Sequence, residues 1–138
     1  TDMIDSIAVV TNMSTVVETK LNVAATAMAW AGSELYLVVD EALDGRDWNS
    51  DADTLDLVLL HITTTGMTAT PPVVGDFDFI DRVSAVGTTK IVSFGTNVFY
   101  SSARIPPNPT DSNLFVISAA LPMTATMVPT TAARMRRP

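Results

Sequence analysis

The feature that most constrains this chain is an internal repeat, because a recurring unit fixes architecture more firmly than local propensity does. Asp53 to Ile62 reads DTLDLVLLHI and is followed by a turn-like TTTG and then Met67-Thr68-Ala69-Thr70. The same order returns as Asp111 to Ser118 (DSNLFVIS), a short Pro-containing turn, and Met123-Thr124-Ala125-Thr126. At the start, Asp2 to Val10 (DMIDSIAVV) precedes Thr11-Asn12 and Met13-Ser14-Thr15-Val16. Each copy pairs two apolar, β-branched runs across a polar turn, which is the pattern of a β-hairpin.

A second unit lies between these hairpins. Ala31-Gly32-Ser33-Glu34-Leu35-Tyr36-Leu37-Val38 resembles Val86-Gly87-Thr88-Thr89-Lys90-Ile91-Val92-Ser93, with Gly at each bend. Two hairpins per period make four strands, which fits the blade of a β-propeller better than a helical solenoid. The expected fold is therefore all-β, with tandem four-stranded antiparallel blades in a β-propeller-like arrangement. A β-sandwich whose strands merely look alike is the alternative. The expected blocks are a half repeat at 1–20, a repeat with an acidic loop at 21–75, a second repeat at 76–129 and a basic tail at 130–138. The Ala-rich run Leu21 to Ala31 suits a short helix by propensity, but its counterpart Phe79 to Val86 is not Ala-rich, which favours an inner strand with small side chains. Half a blade and two blades do not close a ring. Closure is expected from the remainder of a larger propeller, from a homo-oligomer, or by another route.

Composition narrows the function classes. Apolar residues make up 47% and charged residues 17%, too hydrophobic a balance for a disordered chain. The weakly polar stretch from Val23 to Val39 is interrupted by Ser33 and Glu34, so no membrane span is expected. Net charge is −7, and the tail Arg134, Arg136 and Arg137 is too short to offset it, which argues against nucleic acid. The absence of cysteine excludes disulfides, iron–sulfur clusters and thiol catalysis.

The charge is concentrated. Asp40, Glu41, Asp44, Asp47, Asp51, Asp53 and Asp56 fall in one window with only Arg46 against them. Within it, DWNSDADTLD sets oxygen-bearing side chains at alternate positions from Asp47 to Asp53, with Asp56 three residues on. In a tight loop this spacing lets carboxylates converge on a hard cation that wants six to eight oxygens at about 2.3–2.6 Å. The bland reading is a solvated acidic loop. Trp48, inside it, is either exposed for binding or folded back as a plug.

Residues 47–60 (DWNSDADTLDLVLL) resemble the calcium-loop repeats of bacterial propeller-type proteins, including the FG-GAP class. The resemblance implies calcium at Asp47, Asn49, Asp51 and Asp56, with Asp53 as a further ligand. Ala52 departs from the glycine usual there, and Asp56 comes one residue later than in the FG-GAP pattern. An EF-hand fits less well, since Val58 stands where its bidentate Glu would fall. The matching segment of the last repeat, Ile105 to Asp111, is Pro-rich and nearly uncharged, so one site per chain is expected.

His61 is the only histidine and lies in an apolar run, as expected of a buried or edge-strand residue. Asp76, Asp78 and Asp81 alternate with aromatic residues and are candidates for acid–base work, against the plainer reading of a polar strand edge. Trp30, Tyr36, Phe77, Phe79, Phe94, Phe99 and Tyr100 include candidates for a sugar-stacking platform, though most are expected in the core. No nucleophilic triad or phosphate-binding loop is present. The sequence thus reads as a non-enzymatic, calcium-stabilised repeat module, extracellular or at the cell surface, acting as scaffold or binding surface. The alternatives are a lectin-like oligomer that binds glycans and a hydrolase or lyase fragment.

Overall fold

The computed structural model describes residues 7–64, 67, 72–84, 91–102, 113–118 and 125–127. Among these residues nine strands follow in order: β1 (Ile7–Asn12), β2 (Val17–Ala31), β3 (Glu34–Asp40), β4 (Leu57–Thr63), β5 (Asp78–Arg82), β6 (Ile91–Phe94), β7 (Asn97–Ser102), β8 (Asn113–Ser118) and the two-residue β9 (Thr126–Met127). A short α-helix, α1 (Glu41–Asp44), leaves β3, and a 3₁₀ turn (Val74–Asp76) precedes β5. Strands β1 to β5 form one antiparallel meander, and β6, β7 and β8 with the short β9 form another. Among the described residues the sheets do not close on themselves.

Leu21 to Ala31 is strand, not helix. It belongs to β2, which pairs with β1 through its first half and with β3 through its second, so that Ala24 lies opposite Ile7 while Ala25 lies opposite Val39. The expected division at 20/21 therefore falls inside one strand. Asn22, at φ 55°, bends the chain there, a left-handed conformation that asparagine tolerates better than most residues. The chain changes partners again further on. The Val83 N–H donates to the carbonyl of Leu57, the first residue of β4, whereas the next N–H, of Ser84, donates to the Ser101 carbonyl on β7, each at 2.7 Å.

These crossings produce three stacked layers. Alternate residues of β3 and β4 face opposite ways. Leu35, Leu37, Val39, Val58, Leu60 and Ile62 bury themselves with Ala8, Leu21 and Val23 of β1 and β2. Tyr36, Val38 and Leu59 pack the other way, with Ile91, Val98, Tyr100, Phe115 and Ile117 of β6 to β8. All five residues from Leu35 to Val39 have 0% exposure. A two-sheet sandwich would leave one face of each sheet to solvent, so the central strands read as an unbroken apolar run and not as an alternation.

The hairpin expected around Gly32 is present: β2 and β3 join at Gly32-Ser33 with Gly32 at φ 62°. A similar turn joins β6 and β7 at Gly95, at φ 61°, while the hairpin expected around Gly87 lies outside the described residues. Met13 to Val16, expected to open a second strand, instead forms the turn, and the Val16 N–H donates to the Asn12 carbonyl at 2.7 Å. Of the expected strands at 67–70 and 123–126, only Met67, Ala125 and Thr126 are described. The Pro-rich segment 105–111 and the basic tail lie outside the described residues as well.

Replacing Leu37 by Ala at the centre of the middle layer is expected to cost about 2–5 kcal/mol, read from the shift of the urea midpoint, while Val9→Ala on the outer face of β1 costs below about 1 kcal/mol. Burial of the Tyr36 phenol, with the Glu34 charge adding to it, raises its pKa above 10.0. The unfolded chain then ionises first as pH rises, so the folded state binds more protons and loses stability above about pH 10. Urea titrations between about pH 9 and 11 should show this decline, and Tyr36→Phe should reduce it.

Candidate functional site

The acidic window forms the loop between β3 and β4, whose neck closes where Asp40 pairs with Leu57 and the Glu41 N–H donates to the Asp56 carbonyl at 3.0 Å. Asp40 caps α1, accepting from the Ala42 and Leu43 N–H groups, and Gly45 ends the helix at φ 73°. Glu41 is fully buried in the neck. Its carboxylate accepts from the N–H groups of Trp48 (2.6 Å), Asn49 (3.3 Å) and Asp56 (3.4 Å). A buried carboxylate is tolerated when several donors converge on it, and here the loop backbone supplies them.

Most of the other acids also serve the backbone. Asp44 accepts from the Ala24 N–H at 2.8 Å and from the Trp48 indole at 2.7 Å. Asp47 accepts from Ala52 at 3.0 Å and Asp51 at 3.3 Å, and the Asn49 side-chain carbonyl accepts from Asp51 at 3.0 Å. Asp51 and Asp53 accept from the N–H groups of Asp53 and Leu55. The Asn49 amide donates to Asp56 at 2.8 Å and to Asp51 at 3.2 Å, and the Arg82 guanidinium bonds Asp56 and lies 3.7 Å from Asp51. Ser50 and Ala52 both take positive φ, 59° and 76°, so the alanine occupies a conformation that favours glycine.

Trp48 is the plug. It packs against the core of the first two layers and meets Phe77 edge-on at a centroid distance of 5.7 Å, with the Arg46 guanidinium 5.3 Å over its ring.

Among the described residues, one carboxylate group can hold a metal ion: oxygens of Glu41, Asp53 and Asp56 lie within 4.8 Å of one another. Asp53 and Asp56 were expected there. Glu41 was not, because it precedes the alternating motif, and the hint of it in the sequence is its membership of the same acidic window. Asp47, Asn49 and Asp51 stand along the loop with their oxygens turned to its amides.

The remaining candidates separate. Asp76 accepts from the Val73 N–H, Asp78 faces His61, and Asp81 is buried between layers, accepting from the Tyr100 hydroxyl at 2.7 Å and Ser102 at 3.1 Å. His61 is buried, with Nε2 at 2.6 Å from Glu34 and Nδ1 at 3.4 Å from Asp78. Trp30 is 42% exposed over a groove of about 500 Å³ shared with Val10, Val17, Thr19, Thr64 and Met67. Among the described residues no helix is long and apolar enough to cross a membrane. No protein-family model, curated protein or solved structure matches this chain.

Truncating Glu41 to Ala leaves three loop amides without their acceptor and is expected to cost about 2–4 kcal/mol. Melts in EDTA should show that loss for Glu41→Ala and little for Asp53→Ala, whose own bond is exposed, and limited proteolysis should then cut the Glu41 variant inside the loop.

Proposed function

We propose that this chain is a non-enzymatic β-repeat module whose acidic loop is stabilised by one calcium ion, and which acts as a scaffold or binding surface. The observation that carries the reading is the convergence of Glu41, Asp53 and Asp56 at the neck of a loop that joins two layers. Oxygen-only ligands of this charge suit a hard cation, and Asp47, Asn49 and Asp51 lie on the same loop to complete its coordination. The metal acts structurally, tying the loop to β4. Millimolar calcium outside cells suits a site of modest affinity, which favours an extracellular or cell-surface setting.

The three layers support propeller-type blades. In this reading β1 and the first half of β2 are the outer half of one blade, the second half of β2 with β3, β4 and β5 make the next, and β6 to β9 make a third. Each crossing strand passes from the outer edge of one blade to the inner edge of the following one. The separate anchoring of Asp76, Asp78 and Asp81 weighs against a hydrolase or lyase, since each carboxylate is committed to a different partner. A lectin-like reading draws on the half-exposed Trp30, whose groove is rimmed by threonine hydroxyls.

Thermal melts with calcium and with EDTA test the metal. A ligand at about 100 times its Kd raises stability by about 2.7 kcal/mol, so melting temperature should rise by several degrees in calcium and the rise should vanish in Asp53→Asn with Asp56→Asn. Identical melts in calcium and EDTA would remove it. Arg82→Ala, which takes away the guanidinium beside Asp51 and Asp56, should tighten calcium binding measured by titration calorimetry.

A further inference from the structure

The groove beside Trp30 opens where the first two layers part. Trp30 pairs with Leu35, and Thr64 follows the Glu34–Thr63 pair, so the groove lies at one end of the β3–β4 ladder, whereas the acidic loop closes the other at Asp40 and Leu57. Along the first layer, buried Ala8 and Leu21 give way to the half-buried pair Val10 and Thr19, then to the pair Asn12 and Val17 beside the turn. The core between the layers ends there, and a hollow of about 500 Å³ takes its place.

The lining has two characters. Val10, Val17, Met67 and the Trp30 ring supply apolar surface, and Asn12, Thr19 and Thr64 supply polar groups. The Thr19 and Thr64 hydroxyls and the Trp30 indole N–H make no hydrogen bond among the described residues, so all three are open to a ligand. Asn12 is oriented for the same use: its side-chain oxygen accepts from the Ser14 and Thr15 N–H groups at 2.9 and 3.2 Å, which leaves its amide nitrogen to donate elsewhere. Among the described lining residues none is charged.

We propose that this groove binds a neutral hexose, alone or as a unit of a short glycan, with its C–H face on the Trp30 ring and its hydroxyls on Thr19, Thr64 and Asn12. The assignment rests on the binding-surface reading and names its ligand. A pyranose has an apolar face and a rim of groups that both donate and accept, and threonine hydroxyls do both as well. The indole offers the matching flat surface together with one donor. A purely apolar ligand would bury those hydroxyls unpaired, and a charged one would lose water without gaining a counter-charge. The volume falls within the range of about 300–1,000 Å³ usual for small-ligand sites. Because the acidic loop lies at the opposite end of the strands, the sugar is held by side chains and not by calcium.

Titration calorimetry of the full chain with glucose, galactose, cellobiose and lactose tests this. At least one should bind with a Kd of about 0.1–10 mM, the range expected of an open site with few hydrogen bonds. Trp30→Ala should weaken that binding at least about tenfold, and the near-isosteric Thr19→Val about three- to tenfold. Should Trp30→Ala lose its native far-UV circular dichroism, Trp30→Phe keeps a ring without the N–H and should weaken binding about threefold. Binding should persist in EDTA wherever the chain keeps its native circular dichroism. No heat from any of the four sugars overturns the assignment, as does undiminished binding in both Trp30→Ala and Thr19→Val, or loss of binding in EDTA by a folded chain. Uptake of the apolar dye ANS, abolished by Trp30→Ala and unaffected by sugars, overturns it too and gives the groove to an apolar partner. A calcium-dependent rise in melting temperature without sugar binding leaves the calcium-stabilised module standing, and only the groove's ligand falls.

Discussion

Burial of β3 and β4 on both faces is the constraint on which the rest of this structure depends. Ten of their side chains are fully or nearly fully buried, from Leu35 to Val39 and from Val58 to Ile62. Hydrophobic burial is non-directional and scales with apolar area, so such a sheet is stable only with a layer on either side. The crossings follow from that need. A strand that leaves one layer through its outer edge and enters the next supplies a covering layer without a long connection, as β2 does at Asn22 to Ala25 and as the chain does again at Val83 and Ser84.

Each crossing frees backbone groups, and polar side chains meet them. At the β2 bend the Ala24 N–H finds Asp44 and the Asn22 carbonyl finds Arg46, both from the acidic loop. Between the second and third layers, Asp81 gathers the hydroxyls of Tyr100 and Ser102. Unsatisfied buried amides and hydroxyls cost more than a made hydrogen bond gains, so these carboxylates act mainly by preventing a penalty. Among the described residues no buried side-chain nitrogen or oxygen is left without a partner.

Much of this was legible in the sequence. The apolar runs within 31–38 and 53–62 were legible as strands of hairpins, while the burial of β3 and β4 on both faces was not read from them. The turns were less legible, for a physical reason. Segment 41–56 between β3 and β4 is longer than 103–112 between β7 and β8, so spacing along the sequence points to Gly87, which lies outside the described residues, while the turn between β6 and β7 is made at Gly95. At the loop, alternation revealed the acidic segment but not Glu41, since a carboxylate held by three amides 7 to 15 residues away leaves no local spacing to detect. Nor could composition choose between an exposed and a folded-back Trp48. That choice was settled by Phe77, distant in sequence and brought near by the 3₁₀ turn before β5.

The acidic loop also links the two crossings to each other. Asp44 and Arg46 hold the bend of β2, while Asp56 and Arg82 join the loop to the end of β5, close to where the chain leaves for the third layer. Crowding seven carboxylates between those two anchor points raises their mutual repulsion, which two arginines offset only in part. A cation drawn to Asp56 would relieve that repulsion and would compete with Arg82 for the same carboxylate, so the loop's charge bears directly on the anchor at the end of β5.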